Sequence, residues 1–199
     1  MIDEGYVKYR CEWTKGPALI DDKHEVLAYR DKMFQLGLIG FDTTHQVGYG
    51  NISFRDGKHF IVSGTQTGHH KQAKPEHFCR VYSYHNSDNK LSCEGPIAAS
   101  SESLTHAAIY ELDPAIQVVI HVHHKPMWES YLDILPSTKK EVPYGTPEMA
   151  KEIFRLWRLP ALPQHKILFM GGHEDGVIAF GKDFEEAAEI LEYYLEQIS

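Results

Sequence analysis

Apolar and polar positions follow two rhythms along the chain, and each change of rhythm marks an element. Residues 1–22 carry weak periodicity and read as an irregular N-terminal arm. Asp21-Asp22 then precede a helical pattern with Val26, Leu27, Arg30, Met33 and Phe34 on one side, which Gly37 or Gly40 can end. The period shortens to two in Asn51–Arg55 and His59–Ser63, which flank Asp56-Gly57 and predict a hairpin. Phe78–His85 and Lys90–Cys93 predict a second strand pair joined by Asn86-Ser87-Asp88-Asn89. Ser101–Leu112 reads as a helix stopped before Pro114, and Gln117–His123 as an apolar, β-branched strand.

Further on, Pro126–Leu132 reads as a short helix. Thr146-Pro147-Glu148 supplies a cap, a proline at the first helical position and an acid in the first turn. The helix it opens runs through Met149, Ile153, Leu156 and Trp157. Lys166–Met170 and Val177–Phe180 read as strands joined by a Gly/His/acid loop. Asp183-x-x-Glu186 is a capping box that opens the last helix, with Phe184, Ala187, Leu191, Tyr194 and Leu195 facing inward. Hairpins mixed with helices predict an α/β layered fold with a partly antiparallel sheet. With no repeat, low-complexity tract or long linker, residues 1–199 read as one domain.

Composition narrows the function. Twenty Lys and Arg against 28 Asp and Glu give a net charge of −8, which disfavours general binding to nucleic acid or to an anionic membrane. No apolar run reaches the roughly 18–20 residues of a membrane span, and Met1-Ile2-Asp3-Glu4-Gly5 lacks the order of a secretion signal. Cys11, Cys79 and Cys93 are widely spaced and odd in number, which fits a reducing, cytoplasmic compartment better than a disulfide framework. Histidine is the unusual count, at 13.

The strongest local pattern is Val118-Val119-Ile120-His121-Val122-His123. Residues i and i+2 of a strand share a face, so His121 and His123 can converge on one point. That spacing suits either a metal pair or two polar residues hydrogen-bonded at a strand end. His173, in Gly171-Gly172-His173-Glu174-Asp175-Gly176, is either a third ligand or an ordinary turn residue. Ala98-Ala99-Ser100-Ser101-Glu102 at a helix start suits an anion, with Glu102 beside it as a general acid/base, or simply helix capping. Asn51 after Gly50, and Thr65-Gln66-Thr67-Gly68, offer further small polar groups on tight loops.

Taken in order, Gly50-Asn51-Ile52-Ser53, Thr65-Gln66-Thr67-Gly68, Ser100-Ser101-Glu102, His121-Val122-His123, Tyr144-Gly145-Thr146 and His173 resemble the class II aldolase/adducin family. The likeness runs from about Lys23 to Leu195, nearly the whole chain. It implies a three-layer α/β/α domain with a central, mostly antiparallel sheet. It implies zinc, or another divalent ion such as manganese, iron or cobalt, on His121, His123 and His173. Glu102 would be the catalytic acid/base, or a metal ligand when no substrate is bound. Asn51, Thr67, Gly68, Ser100 and Ser101 would cradle a substrate phosphate. The implied activity is a lyase reaction of carbohydrate metabolism: aldol cleavage of a small ketose phosphate through a zinc-stabilised enediolate, in a homotetramer. A 4-epimerase or dehydratase on the same metal site is the nearest alternative, and a non-catalytic adducin-like scaffold a more distant one.

This chain departs from the family pattern at two loops. The family commonly has Gly directly after the third ligand, whereas Glu174-Asp175 intervene here, so the loop should bulge and one of them could stand behind the metal. Gln66 replaces a proline common in the phosphate loop, and His69-His70-Lys71 follow, adding positive or switchable charge beside the expected anion. The resemblance also calls for a second acid/base at the cleaved hydroxyl, for which Tyr131, Tyr144 and His124 are candidates.

Overall fold

A computed structural model of the chain describes residues 7–198. Eight strands form the main sheet: β1 Arg10–Lys15, β4 Asn51–Asp56, β5 His59–Ser63, β6 Phe78–His85, β7 Lys90–Gly95, β8 Val118–His123, β9 Ile167–Phe169 and β10 Gly176–Gly181. They lie in the order β1-β7-β6-β5-β4-β8-β10-β9. Every neighbouring pair is antiparallel except β1 with β7, which is parallel. A separate two-stranded ribbon pairs β2 (Gly40–Asp42) with β3 (Val47–Tyr49). The predicted hairpin is β4–β5, with Asp56 opposite His59 and Gly57 at φ +62. Where weak periodicity predicts irregular structure, residues 10–15 form the edge strand β1; residues 1–6 of the arm lie outside the described residues.

Helices cover both faces. Helices α1 (Glu25–Gln35) and α6 (Phe184–Glu196) pack on one face, where Val26, Met33, Phe184, Ala187 and Leu191 meet Ile52, Val118, Ile120 and Val122. Helices α2 (Ser103–Tyr110) and α4 (Pro147–Trp157) pack on the other, where Leu104, Ala108, Ile109, Met149 and Ile153 meet Val62, Val119 and Ile178. This is the three-layer α/β/α arrangement expected, driven by burial of the apolar faces of both the sheet and the helices. The short helices α3 (Lys125–Tyr131) and α5 (Ala161–His165) complete the set. No helix among the described residues is long and apolar enough to cross a membrane.

The predicted caps of α4 and α6 form: Thr146 Oγ1 accepts from Met149 N at 3.3 Å and Asp183 Oδ1 from Glu186 N at 2.8 Å. Helix α1 is capped by His24, whose Nδ1 accepts from Val26 N at 3.2 Å. The start of α2 differs from expectation. Helix α2 begins at Ser103, so Ser101 lies in the turn before it and Glu102 is the N-cap residue, outside the first helical turn.

Candidate metal centre

Strand alternation builds the centre. On β8, Val118, Ile120 and Val122 enter the layer beneath α1 and α6, while Val119 enters the α2 and α4 layer. His121 and His123 share the face of Val119, as period two requires. Their rings lie 4.9 Å apart between centroids. His173 reaches them from the β9–β10 connection, with ring centroids 5.3 Å from His121 and 4.6 Å from His123. One ligand nitrogen from each of the three lies within 4.8 Å of the others. Glu102 completes the group, its Oε1 3.9 Å from His173 Nε2.

Register fixes these positions. Asn51 of β4 stands opposite His121, and Gly176 of β10 stands opposite His123. A Cβ on Gly176 would lie 2.7 Å from His173 Cδ2, so the absent side chain makes room for the third imidazole. A Cβ on Gly172 would overlap Val142 O, so the chain entering the His173 turn lies directly against residues 142–143. The turn itself is closed by His173 N to Met170 O at 3.2 Å and Gly176 N to His173 O at 3.0 Å. Glu174 points outward and pairs with Lys125 Nζ at 2.8 Å, and Asp175 takes a left-handed φ of 65 with its carbonyl accepting from His124 N. Neither inserted acid joins the three-imidazole cluster.

Two buried imidazoles, a half-buried one and a buried carboxylate suit a divalent cation. Burial, helped by the neighbouring imidazoles, holds His121 well below the usual histidine range, and burial holds His173 there too and brings His123 to about 4. All three are therefore neutral near pH 7, which is the ligand form. His121 Nε2 is buried without a hydrogen-bond partner, an arrangement that costs stability unless something accepts its lone pair or proton. Imidazoles about 2.0–2.1 Å from a tetrahedral ion have nitrogens about 3.3 Å apart, so small ring movements would close this cluster on one ion. Asn51 Nδ2 lies 3.3 Å from His121 Nδ1 while Asn51 Oδ1 is buried without a partner. Turning the amide over lets Oδ1 accept from His121 Nδ1–H, so that Nε2 keeps its lone pair and Nδ2 takes the unpartnered position as a donor.

The remaining small polar residues gather beside the cluster in a pocket of about 370 Å³, counted to its open mouth. Asn51, Thr67, Gly68, Ser100, Ser101 and Glu102 all line it, with His121, His173 and Tyr144. Thr67 spends its hydroxyl on Gly64 O at 2.8 Å, so what it can offer an anion is its backbone N–H. Ser100 Oγ accepts from Glu102 N at 3.4 Å, which steadies the turn that carries the carboxylate.

The loop that lacks the proline is held by other means. Gln66 adopts a left-handed φ of 60 and its Oε1 accepts from Gly48 N at 3.2 Å. From beneath, the buried Arg30 of α1 donates to Thr67 O at 3.0 Å, to Gly68 O at 3.1 Å and to His70 O. The sequence pattern places Arg30 on the apolar face of α1 and misses this role; a lone arginine on such a face was the available signal. His69 and His70 do not point charge at the pocket. The His69 ring lies tilted against His70 at 3.8 Å and His70 stacks on His77 at 4.0 Å, and burial lowers His70 and brings His77 to about 4.

Of the candidate second acid/base groups, only Tyr144 lies in the pocket, its ring 4.3 Å from that of His173. Tyr131 packs against Phe169 and Tyr194 in the layer below, and His124 caps α3 by accepting from Met127 N at 3.1 Å. His106, one turn beyond Glu102, bonds to Ser53 Oγ at 2.7 Å. Tyr49, which sequence reasoning passed over, lines both this pocket and an adjoining open groove with His123, Lys125 and Asp175.

Residues 38–198 match the family described as Class II Aldolase and Adducin N-terminal domain. No curated protein matches the sequence. Among solved structures, L-fuculose-1-phosphate aldolase from Thermus thermophilus is similar at 21% identity, with 86% of this chain and 87% of that one covered and a TM-score of 0.59. A sugar-phosphate aldolase from Thermotoga maritima is similar at 17% identity, covering 87% and 91%, with a TM-score of 0.60. YgbL from Escherichia coli, whose activity stands open between aldolase, epimerase and decarboxylase, is similar at 20% identity, covering 87% and 84%, with a TM-score of 0.61. At these identities the likeness establishes a shared fold.

Proposed function

The chain belongs to the class II aldolase and adducin N-terminal domain family, and from that premise we propose that it is a metal-dependent lyase cleaving a small ketose phosphate or related hydroxy-carbonyl compound by a retro-aldol reaction. The observation that carries this reading is the convergence of His121, His123 and His173 with the Glu102 carboxylate 3.9 Å from His173 Nε2. In this reading the three imidazoles hold zinc or another divalent ion, which when bound supplies Lewis acidity toward the carbonyl and adjacent hydroxyl oxygens of the substrate.

The chain's own groups do the rest. Asn51 Nδ2, the Thr67 and Gly68 backbone and the Ser100 and Ser101 hydroxyls hold the substrate's anionic end and set its orientation. Glu102, almost fully buried at 2% exposure, moves the proton at the substrate carbon from which the C–C bond departs. Tyr144, on the same pocket wall, faces the oxygen of the cleaved carbinol, whose proton must leave as the bond breaks. The surrounding burial keeps competing water from that carbon. The same reading takes the active form as a cytoplasmic homotetramer.

Metal analysis and product analysis test this together. The purified protein should carry a stoichiometric divalent ion and split a ketose phosphate into two carbonyl products, not invert or dehydrate it. His121→Ala and His123→Ala should each lose the ion and stay folded. Glu102→Gln should keep the ion and slow exchange of the substrate's carbon-bound proton by about a hundredfold or more. Full metal content in either histidine variant refutes the ligand assignment, and inversion or water loss as the product moves the reading to an epimerase or dehydratase.

A further inference from the structure

Residues 7–15 lie outside the matched range 38–198, yet they hold the turn that carries Glu102. Strand β1 runs parallel to β7 and is fixed to it at both ends. At one end Asn89 Nδ2 donates to Lys8 O and Arg10 N donates to Asn89 O, both at 2.8 Å, so the backbone on each side of Tyr9 is bonded to one residue. At the other end Trp13 Nε1 and Gly16 N both donate to Gly95 O at 3.0 Å. From this fixed strand the Tyr9 side chain enters the layer of α2 and α4, with only 6% of its surface exposed. Its hydroxyl donates to Ser100 O at 2.6 Å and lies 3.3 Å from Ala99 O. Burial pushes that hydroxyl well above the usual tyrosine range, so it stays a donor at neutral pH.

The bond falls on a short segment between two anchors. Before it, Thr65 N donates to Ala98 O at 3.0 Å and Ala99 bridges to Gly64, which ties the chain to the end of β5. After it, α2 begins at Ser103. Within the segment, Ser103 N to Ser100 O at 3.0 Å and Glu102 N to Ser100 Oγ at 3.4 Å shape the turn without tying it to the rest of the fold. Tyr9 supplies such a tie at the first residue of the turn. On the other side a Cβ on Gly145 would lie 3.1 Å from Ser101 O, so the backbone next to Tyr144 closes on the following carbonyl. Glu102 is the N-cap residue: its carbonyl accepts the first helical bond, from His106 N at 3.1 Å, while its N–H belongs to the turn. The place of its carboxylate therefore follows the turn. A general acid/base works only within hydrogen-bond reach of the proton it moves, and a displacement of about 1 Å costs about a hundredfold in rate.

We propose that Tyr9 is a positioning residue for catalysis: by holding Ser100 O, its hydroxyl sets the Ser100–Glu102 turn so that the Glu102 carboxylate stands at the proton it moves. The inference rests on reading Glu102 as the acid/base. Strand β1 then belongs to the catalytic apparatus through its bonds to β7 and through this one side chain.

The test compares full-length, metal-loaded Tyr9→Phe with the unmodified protein. Dihydroxyacetone phosphate, the smallest ketose phosphate, is the probe. Exchange of its carbon-bound proton with deuterium is followed by NMR, at matched metal content and well below the unfolding transition. Tyr9→Phe should keep its metal, lower kcat for this exchange about ten- to a hundredfold and change KM less. Backbone amide exchange, read by mass spectrometry, should quicken across Ser100–Leu104 and stay unchanged in β8. In a Glu102→Gln background Tyr9→Phe should lower kcat no further, because the hydroxyl acts through Glu102. Tyr9→para-aminophenylalanine, whose amine donates from the same place, should restore most of the rate. Unchanged kcat, or unchanged amide exchange across the turn, overturns the proposal and leaves the role of Glu102 standing. So does a loss that the amine fails to recover, or one that adds in full to that of Glu102→Gln, because packing would then be at work. If the unmodified protein does not exchange the proton, or Glu102→Gln exchanges it as fast, the reading of Glu102 itself fails, and the positioning role falls with it whatever the amides show.

Discussion

Asn51 sets one end of its amide against an imidazole of the three-histidine cluster and lines the pocket beside it. Its backbone stands opposite His121 in the β4–β8 register, and its side chain reaches His121 Nδ1 at 3.3 Å. A metal-ligating imidazole needs its second nitrogen protonated and bonded, or the ring's orientation and basicity drift. Asn51→Leu removes the acceptor and leaves Nδ1–H buried without a partner. We expect a ten- to hundredfold fall in metal affinity, measured by competition with a chromophoric chelator. Asn51→Asp should retain the acceptor, and with it the metal, but should bind inorganic phosphate worse because a carboxylate would now face the anion. Unchanged metal affinity in Asn51→Leu would sink the orienting role.

At the scale of elements, the site depends on a helix that does not line it. Helix α1 lies on the far face of the sheet, yet Arg30 passes its guanidinium to three carbonyls of the loop at 67–70. Arg30→Met would leave those carbonyls buried or force the loop open. The expected cost is roughly 2–4 kcal/mol of stability by chemical denaturation, with weaker phosphate binding and intact metal content. A variant with full anion affinity would show that Gln66 and Gly68 hold the loop unaided. Elements with local causes were legible in the sequence: the Thr146 and Asp183 caps, the two-residue alternation of β4 and β5, and the i, i+2 histidines of β8 all act over a few residues. Elements with distant causes were not. Strand β1 is mostly exposed and gains its pairing only from β7, far away in the chain. His173 looks like a turn residue until β10 is laid beside β8, and spacing alone left it open. Arg30 matched the apolar period of α1 while obeying a polar demand from a loop about forty residues on.

For the molecule as a whole, two apolar layers leave little room for charge, and histidine is where this becomes measurable. His106 lies fully buried between β4 and α2, with Nδ1 2.7 Å from Ser53 Oγ and Ser53 Oγ in turn 2.8 Å from Tyr110 Oη. Burial holds its pKa at about 3, against about 6.5 in an unfolded chain. Above pH about 6.5 the imidazole is neutral in both states and its placement costs nothing in protonation. As pH falls from there toward 3, the unfolded chain takes up a proton that the folded one refuses. Stability is therefore lost on acidification through this window, by up to about 1.4 kcal/mol per pH unit for this one group. The three histidines of the cluster have the same sign, so the isolating measurement compares two proteins at two pH values. His106→Gln should be destabilised at pH 7.5, where the Ser53 bond is perturbed and no proton is involved. Its deficit relative to the unmodified protein should shrink by about 1 kcal/mol or more at pH 5.5, because glutamine takes up no proton on unfolding. Parallel stability curves across that range would mean that water or rearrangement lets His106 protonate inside the fold, and that the layer beneath the site is less dry than its packing implies.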